Sequence, residues 1–313
     1  MVHNKHKVSV IIPTYNPKGS AITSVIDHLK NQSMSSTFWQ LIVVDNNSDN
    51  GELETLDLSW HTNARIIKCF QQGLTFARLA GFKHSSAEII VMVDDDNLLD
   101  KDYLMNAVNI FKNNQNLGVI GGRSIAKYEK NPPSWIFECN SLLAIRDLGA
   151  SAIIEHWQNK YPHSAPIGAG MCIRTKALSS YMLNQADTTH QITDRTEKIL
   201  SSGGDNDIIL EVMKSGFSCG YFPALSLVHI LPTERLEKFY LSKLSFGINK
   251  SWILVLDKHG INPWKPIHGN TLLLRKIKSW FLYQAWKNEL TYIQWKGACG
   301  RYEGLASIYN ARG

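Results

Sequence analysis

The 313-residue sequence lacks the patterns that mark several protein classes. Its five cysteines are scattered and form no C-x-x-C pair, which argues against a disulfide scaffold or cysteine-ligated zinc and fits a reducing cytosol. Since no run of about 18 apolar residues is present, we predict no transmembrane helix. The apolar run before Pro13 is too short for a secretory leader, so we expect none. A content of 44% hydrophobic and 19% charged residues predicts a globular chain, and these absences favour a cytoplasmic location.

Two phosphate-binding patterns are also missing. A dinucleotide-dependent oxidoreductase would carry G-x-G-x-x-G after its first strand. A sugar nucleotidyltransferase would want a glycine-rich loop with Lys or Arg there, and PTYNPKGS offers only Lys18. The oxidoreductase is therefore excluded, and the nucleotidyltransferase is kept only as a weaker alternative.

Charge is unevenly distributed along the chain. From Ile230 onward there are 13 Lys and Arg against 5 Asp and Glu, whereas the first 229 residues hold 20 and 22. A basic tail suits an anionic partner such as phospholipid or a polyphosphate, or is a solvated helical surface. Its basic residues form no recognisable nucleic-acid-binding motif, so we expect no nucleic-acid partner.

The first half alternates short apolar runs with helical spacing. Strands are predicted at Val8–Ile12, Leu41–Val44, Arg65–Phe70, Glu88–Val93 and Val119–Ile120. Helices are predicted at Ile22–Leu29, Leu74–His84 and Tyr103–Phe111. Strands separated by helices indicate crossover connections, so we predict an α/β fold with a mostly parallel central sheet flanked by helices.

Three of these strands end on polar clusters. The clusters are Thr14-Tyr15-Asn16, Asp45-Asn46-Asn47 and Asp94-Asp95-Asp96. Because ligands of open α/β sheets bind beyond the carboxyl ends of the strands, the clusters should converge on one site. Asp45 suits a hydrogen bond to a nucleobase or ribose, or else an Asx-turn or helix N-cap.

The aspartate triplet is the strongest candidate for metal binding. Adjacent carboxylates repel one another unless a cation offsets them, and oxygen ligands suit Mg²⁺ or Mn²⁺. A solvated acidic turn is the alternative. His229 is either a structural residue or the neutral ligand of the same ion.

Two further segments carry chemistry-bearing or small residues. Gly203-Gly204-Asp205 opens a helical pattern, where Asp205 is either an N-cap or a general base. Gly168-Ala169-Gly170-Met171 either lets a backbone approach a ligand or makes a tight turn.

Together these motifs resemble family 2 glycosyltransferases of the GT-A fold, of the bacterial polysaccharide type. The segments that carry the resemblance are VSVIIPTYN (8–16), VVDNNSDN (43–50), Gly73 with ARLAG (77–81), VDDDNLLDKDYL (93–104), GAGMCIRTKAL (168–178), GGDNDIILEVMKSGF (203–217) and VHI (228–230). The resemblance covers about residues 8–235. It implies a Rossmann-like sheet and an inverting, metal-dependent transfer from a nucleotide-sugar, most often a UDP-sugar, to an acceptor hydroxyl.

The resemblance also implies roles for individual residues. It places the nucleotide against Pro13, Thr14, Tyr15, Asn16, Asp45, Gly73, Arg78, Asp94 and Asp95. It makes Asp96 and His229 the ligands of the divalent ion, Mn²⁺ or Mg²⁺. It makes Asp205 the catalytic base. It puts the glycan or lipid-linked acceptor beside Gly168, Ala169, Gly170, Met171 and Gly204.

Two positions depart from the family pattern. Gly204 replaces the usual Glu of the GED motif, and Leu79 replaces the usual Asn after Arg78. The loss of the Glu keeps a catalytically degenerate sugar-nucleotide- or carbohydrate-binding protein as an alternative.

The chain is expected to divide near residue 232. A GT-A catalytic domain (1–232) would comprise a nucleotide-binding half (1–127) and an acceptor-binding half (128–232), followed by a helical, basic C-terminal extension (233–313). Within the extension we predict one helix over Leu272–Leu290 with basic residues beside a Trp-rich apolar face. Such a helix suits peripheral contact with the inner face of a membrane, and equally a cover for the catalytic domain or a partner subunit.

Overall fold

The computed structural model describes residues 6–184 and 202–312. These residues form two compact groups. We call them the sheet unit (residues 6–127, 144–184 and 208–230) and the helical unit (128–143, 202–207 and 231–312). The division into domains at residue 232 stays a prediction.

The elements of both units follow in chain order. The strands are β1 (Val8–Thr14), β2 (Trp39–Asp45), β3 (Ala64–Lys68), β4 (Ile89–Met92), β5 (Asn97–Leu99), β6 (Leu117–Tyr128), β7 (Ile153–Glu155), β8 (Cys172–Arg174) and β9 (Ser218–Leu231). The helices are α1 (Gly19–Lys30), α2 (Leu74–His84), α3 (Tyr103–Asn113), α4 (Ser179–Asn184), α5 (Gly204–Lys214), α6 (Lys238–Lys258), α7 (Leu272–Leu282) and α8 (Glu289–Arg312).

The strands form one sheet with a parallel and an antiparallel part. Its order is β3-β2-β1-β4-β8-β6-β9-β5, and β7 pairs with β9. β1 pairs in parallel with β2 and β4, and β2 pairs in parallel with β3. β8 is antiparallel to β4 and β6, while β9 is antiparallel to β5 and β7. The α/β fold with a parallel central sheet is thus confirmed, together with a C-terminal helical region; the antiparallel part was not predicted.

Alternation along the strands divides the core between the two faces of the sheet. Val8, Val10 and Ile12 of β1 belong to the apolar cluster that contains the buried sides of α1 and α3. Ile11 belongs to the second cluster, with residues of α2 and α5. Because successive side chains of a strand point to opposite faces, a continuous apolar run such as β1 can be buried on both.

The single helix predicted over Leu272–Leu290 is wrong. α7 ends at Leu282, and α8 begins at Glu289. Gln284 adopts a φ of 48° between them, and the Asn288 side chain accepts a hydrogen bond from Thr291 N at 2.9 Å. Asn288 therefore caps the start of α8, and a left-handed residue ends the preceding helix.

The helical unit is built on close packing of α6 against α8. Gly297, Gly300 and Gly304 lie on one side of α8, and a Cβ built on Gly300 would lie 2.1 Å from Phe246 O of α6. Only a residue without a side chain allows the two backbones to approach this closely. Within residues 6–184 and 202–312, no helix is long and apolar enough to span a membrane.

We expect Gly300→Ala to lower the free energy of unfolding by roughly 1–3 kcal/mol, because the new methyl group must push α6 away from α8. A decrease would indicate a steric clash, since Gly→Ala inside an unobstructed helix usually raises the free energy of unfolding by about 1 kcal/mol. Urea denaturation followed by circular dichroism measures the change.

Gly269→Ala is the matched control, because a Cβ at Gly269 would meet nothing within 4 Å. Its effect should stay within about 0.5 kcal/mol. A Gly300→Ala protein as stable as the parent would contradict the close approach of the two helices.

Candidate active site

The three predicted polar clusters meet at one edge of the sheet unit. Thr14 is the register partner of Asp45 across β1 and β2, and Asn46 N donates to Thr14 O at 2.8 Å. On the other side of β1, Thr14 Oγ1 donates to Asp95 Oδ2. The carboxyl ends of β1, β2 and β4 therefore bring a hydroxyl group and carboxylates together, as expected for parallel strands.

The turns after β1 and β2 are joined by hydrogen bonds. Asn16, which follows Tyr15 and has a φ of 46°, donates from its backbone N to Ser48 Oγ at 3.0 Å. Asp49 N donates to Asn16 Oδ1 at 2.9 Å. Asp45 Oδ1 accepts from Ser48 N at 2.7 Å, and Lys68 Nζ lies 3.9 Å from Asp45 Oδ2. Asp45 thus makes the Asx-turn of the alternative interpretation, and a lysine accompanies its second oxygen.

The side chain of Asn46 holds the loop between β3 and α2 through hydrogen bonds. Its side chain is 5% exposed, and its Nδ2 donates to Cys69 O at 3.1 Å and to Gln71 O at 2.7 Å. Its Oδ1 accepts from Gly73 N at 2.7 Å. Gly73 has a φ of 133° and precedes α2, which carries Arg78, a side chain that is only 3% exposed. Sequence reasoning assigned no role to Asn46, because nothing local shows that this amide is buried.

Phe70 lies in the loop that Asn46 holds, and it was not singled out from the sequence. Its side chain is 76% exposed, and Lys68 Nζ is 5.8 Å from its ring centroid. An exposed aromatic face of this kind offers a surface for stacking a planar ring. The predicted strand over Arg65–Phe70 concealed it, since an aromatic residue is ordinary inside a strand.

Asn97 organises the aspartate triplet. It is fully buried, and its Oδ1 accepts from Asp94 N at 3.2 Å. Its Nδ2 donates to Asp96 Oδ1 at 2.9 Å. Asp94 and Asp95 are partly exposed, whereas Asp96 is 7% exposed. The Asn97 side chain therefore fixes the aspartate triplet by hydrogen bonds to the backbone of Asp94 and to the carboxylate of Asp96. Sequence reasoning missed this role as well.

Asp96 and His229 are neighbours in the sheet. His229 is opposite Asn97 in the β5–β9 register, and Ile230 N donates to Asp96 O at 2.9 Å. His229 Nε2 lies 3.4 Å from Asp96 Oδ1. Two adjacent ligands of an octahedral ion with bonds of about 2.1 Å are about 3.0 Å apart. Carboxylate oxygen and imidazole nitrogen at this spacing fit a divalent ion such as Mn²⁺.

Residues 168–171 form a buried tight turn. Met171 N donates to Gly168 O at 3.2 Å, and Gly170 has a φ of 72°. Tyr103 Oη donates to Gly170 O at 2.6 Å, and burial raises the pKa of Tyr103 well above its usual value, which keeps the phenol protonated as a donor. Ala169 is 5% exposed and Met171 is fully buried, so this part of the predicted acceptor side is packed core.

Gly204 and Asp205 lie in the helical unit, whereas the other predicted site residues belong to the sheet unit. α5 begins at Gly204, and Asp205 stands in its first turn, partly exposed. A carboxylate there is stabilised by the positive end of the helix dipole.

Asp207, in the same turn, is fully buried and was given no role from the sequence. Lys258 Nζ lies 2.8 Å from Asp207 Oδ2, and His259 Nε2 lies 2.8 Å from Asp207 Oδ1. These contacts tie the first turn of α5 to the end of α6. The spacing of about fifty residues gives no local signal in the sequence.

We expect Asp207→Asn to lower the free energy of unfolding by about 3 kcal/mol, because the asparagine no longer supplies the negative charge that Lys258 and His259 contact. The matched control is Asp257→Asn, which removes the more exposed ion pair with Arg312 and should cost at most about 1 kcal/mol. Urea denaturation of both variants measures the difference. Equal, small effects would mean that Asp207 does not hold the turn.

Comparison with known proteins adds sequence relatives and a shared fold. The family model described as Glycosyl transferase family 2 matches residues 9–174. The chain is 33% identical over 135 residues to a poly(ribitol-phosphate) beta-N-acetylglucosaminyltransferase, TarP, of Staphylococcus aureus; this match covers 42% of the chain and 41% of TarP. It is 30% identical over 139 residues to a poly(ribitol-phosphate) beta-glucosyltransferase of Bacillus spizizenii, covering 40% of the chain and 22% of that protein.

Solved structures of S. aureus TarS resemble the chain in fold. The structure of TarS residues 1–349 has a TM-score of 0.53 and 14% identity, covering 98% of this chain and 92% of TarS 1–349. A further structure of the same protein, in complex with UDP, has a TM-score of 0.52. The family model spans more than half of the sequence and includes the strand-end clusters of β1, β2 and β4. The chain belongs to glycosyltransferase family 2.

Proposed function

We propose that this protein transfers a sugar from a UDP-sugar to an acceptor hydroxyl group, with inversion at the anomeric carbon and with a divalent metal ion. The observation that carries the proposal is the convergence of Thr14, Asp45 and Asp95 at the carboxyl ends of three parallel strands. This edge is where open α/β sheets bind their ligands. Binding of UDP is supported by the TarS complexes with UDP and UDP-GlcNAc.

In this proposal the nucleotide lies along the ends of β1 and β2. Pro13 to Asn16 and Asp45 contact the nucleoside, and Lys68 limits the negative charge around Asp45. Phe70 stacks on the base, because its exposed ring belongs to the loop next to Asp45. Gly73 and Arg78 support the pocket from the start of α2. Asp94 or Asp95 contacts the ribose.

The divalent ion is assigned to Asp96 and His229, whose ligand atoms have the spacing described above. When bound, such an ion offsets the negative charge that develops on the departing diphosphate. The chain's own contribution is to hold both side chains in place: Asn97 and Ile230 N fix the Asp96 residue, and the β5–β9 register fixes His229.

Asp205 is the proposed general base. It accepts the proton of the acceptor hydroxyl as that oxygen attacks the anomeric carbon from the face opposite the diphosphate. The bond to the diphosphate breaks as the new glycosidic bond forms, so the configuration inverts. Asp207 is assigned a structural role, because its contacts with Lys258 and His259 keep the first turn of α5 in place.

The acceptor is proposed to be an anionic glycan-type polymer or a lipid-linked glycan. Two relatives are named for poly(ribitol-phosphate), which carries both hydroxyl and phosphate groups. The basic excess after Ile230 suits such an acceptor electrostatically. A cytoplasmic location is supported by the five cysteines, none of which is paired in a disulfide.

Calorimetric titration of UDP, GDP and dTDP, each with and without Mn²⁺, tests the donor site. We expect UDP to bind only with the metal, and Asp96→Ala to weaken that binding at least about tenfold by removing a metal ligand.

Asp57→Ala, an exposed aspartate outside the strand-end cluster, is the control and should bind UDP like the parent. Unchanged metal-dependent binding by Asp96→Ala would remove it from the ligand set. Failure of all three nucleotides to bind would contradict the proposed donor site.

Asp205→Asn tests the base. We expect UDP release from UDP-sugars in the presence of poly(ribitol-phosphate) or glycan acceptors to fall by about 10²–10⁴-fold, because asparagine cannot take the proton of the attacking hydroxyl group. UDP affinity should change less than about threefold, since Asp205 is assigned no contact with the nucleotide.

Asp257→Asn serves again as the surface control. Near-normal turnover by Asp205→Asn would assign the base to another group. A product with the donor's anomeric configuration, read by proton NMR, would contradict the single displacement. A parent protein that binds UDP and transfers to none of the acceptors would favour the degenerate binding protein.

A further inference from the structure

The helical unit exposes a contiguous group of large apolar side chains on α7. Their exposed fractions are Leu273 68%, Leu274 71%, Ile277 48% and Phe281 64%. Ser279 is the buried residue of this helix. Single exposed apolar residues are ordinary, but a contiguous group of this kind marks an interaction surface. We call these four residues the α7 surface.

The α7 surface lies between basic side chains. At 3.6 residues per turn, Leu273, Leu274, Ile277 and Phe281 fall within about 100° of the helix circumference. On the same projection Lys276 borders this arc on one side and Lys278 on the other. Lys276 Nζ pairs with Glu303 Oε1 at 2.5 Å, whereas Lys278 is exposed.

A tryptophan group continues the surface beyond the end of α7. Trp286 is 59% exposed, and its ring centroid lies 5.8 Å from that of Phe281. Trp280 packs against Trp286 at 6.4 Å and against Trp295 at 4.7 Å. Tryptophan combines an apolar ring with a polar N–H group, which favours the boundary between hydrocarbon and water.

The chain segment that carries the surface is basic, although Asp207 and Glu303 pair with two of its cations, Lys258 and Lys276. Residues 258–288 contain six Lys and Arg and no Asp or Glu. An anionic partner complements this segment. A second copy of the chain does not, since a symmetric contact would bring the same cations together.

We propose that the α7 surface binds the interface of an anionic lipid bilayer. The apolar arc and Trp286 would enter the boundary between headgroups and acyl chains, while Lys278 at the border of the arc would contact the phosphate groups. Binding of this kind needs neither nucleotide nor metal, so it stands or falls independently of the transferase proposal.

Co-sedimentation of the full chain with vesicles, without nucleotide, tests the apolar part. We expect binding to phosphatidylcholine vesicles that contain phosphatidylglycerol and much weaker binding to phosphatidylcholine alone. Ile277→Gln/Phe281→Gln should weaken binding at least about tenfold, because two apolar anchors are lost. The control is Leu183→Gln, a residue that is 75% exposed on α4, which should bind like the parent.

A charge reversal tests the lipid headgroup contact. Lys278→Glu should reduce the preference for phosphatidylglycerol, and raising the salt concentration should weaken the parent's binding. Lys101→Glu, an exposed lysine of the sheet unit, is the control and should leave binding unchanged. Both α7 variants should keep the parent's circular dichroism spectrum and UDP affinity.

Three results would overturn the proposal. The first is a parent protein that does not bind anionic vesicles, and the second is an Ile277→Gln/Phe281→Gln protein that binds them as the parent does. The third is a parent that self-associates in size-exclusion chromatography with light scattering while that variant is monomeric, which would assign the surface to a second copy of the chain.

Discussion

The parallel register of β1 is the constraint on which the strand-end cluster depends. Thr14 pairs with Asp45 of β2, and the pairing of Ile11 with Met92 in β4, continued by three residues, places Thr14 level with Asp95. The hydrogen bond between Thr14 and Asp95 follows from that alignment. A slip of one residue would turn each β1 side chain to the opposite face of the sheet and would move Thr14 out of line with Asp45 and Asp95, so the cluster requires this register.

The buried side-chain amides of Asn46 and Asn97 make the strand-end cluster rigid without adding charge. Three consecutive carboxylates repel one another, and a loop that carries them needs fixed partners. Asn97 supplies both a donor to Asp96 and an acceptor for Asp94 N. Asn46 plays the corresponding part between β2 and α2, where it bonds two carbonyl groups and Gly73 N. A neutral amide can donate and accept at once, which a further carboxylate could not do.

Structural features that depend on neighbouring residues could be predicted from the sequence, whereas features that depend on distant residues could not. The bounds of α2 and the core of β1 follow from contiguous apolar patterns, and the observed elements agree with them. The antiparallel part of the sheet does not, because β4 pairs with β8 across about eighty residues and no local pattern encodes that partner. The contact of Asp207 with His259 was missed for the same reason. The break after α7 did have a local signal, Asn288 followed by Thr291, which the continuing apolar pattern concealed.

The two departures from the family pattern have different physical consequences. Leu79 packs against the apolar cluster that contains parts of α2 and α5, so this position serves the core. Gly204 is buried at the start of α5 and has no side chain with which to reach an acceptor. In the same turn Asp207 is buried and held by Lys258 and His259, so Asp205 is the carboxylate that solvent partly reaches. Under the proposed function the base is therefore kept while an acceptor contact is lost, and acceptor choice must rest on side chains other than residue 204.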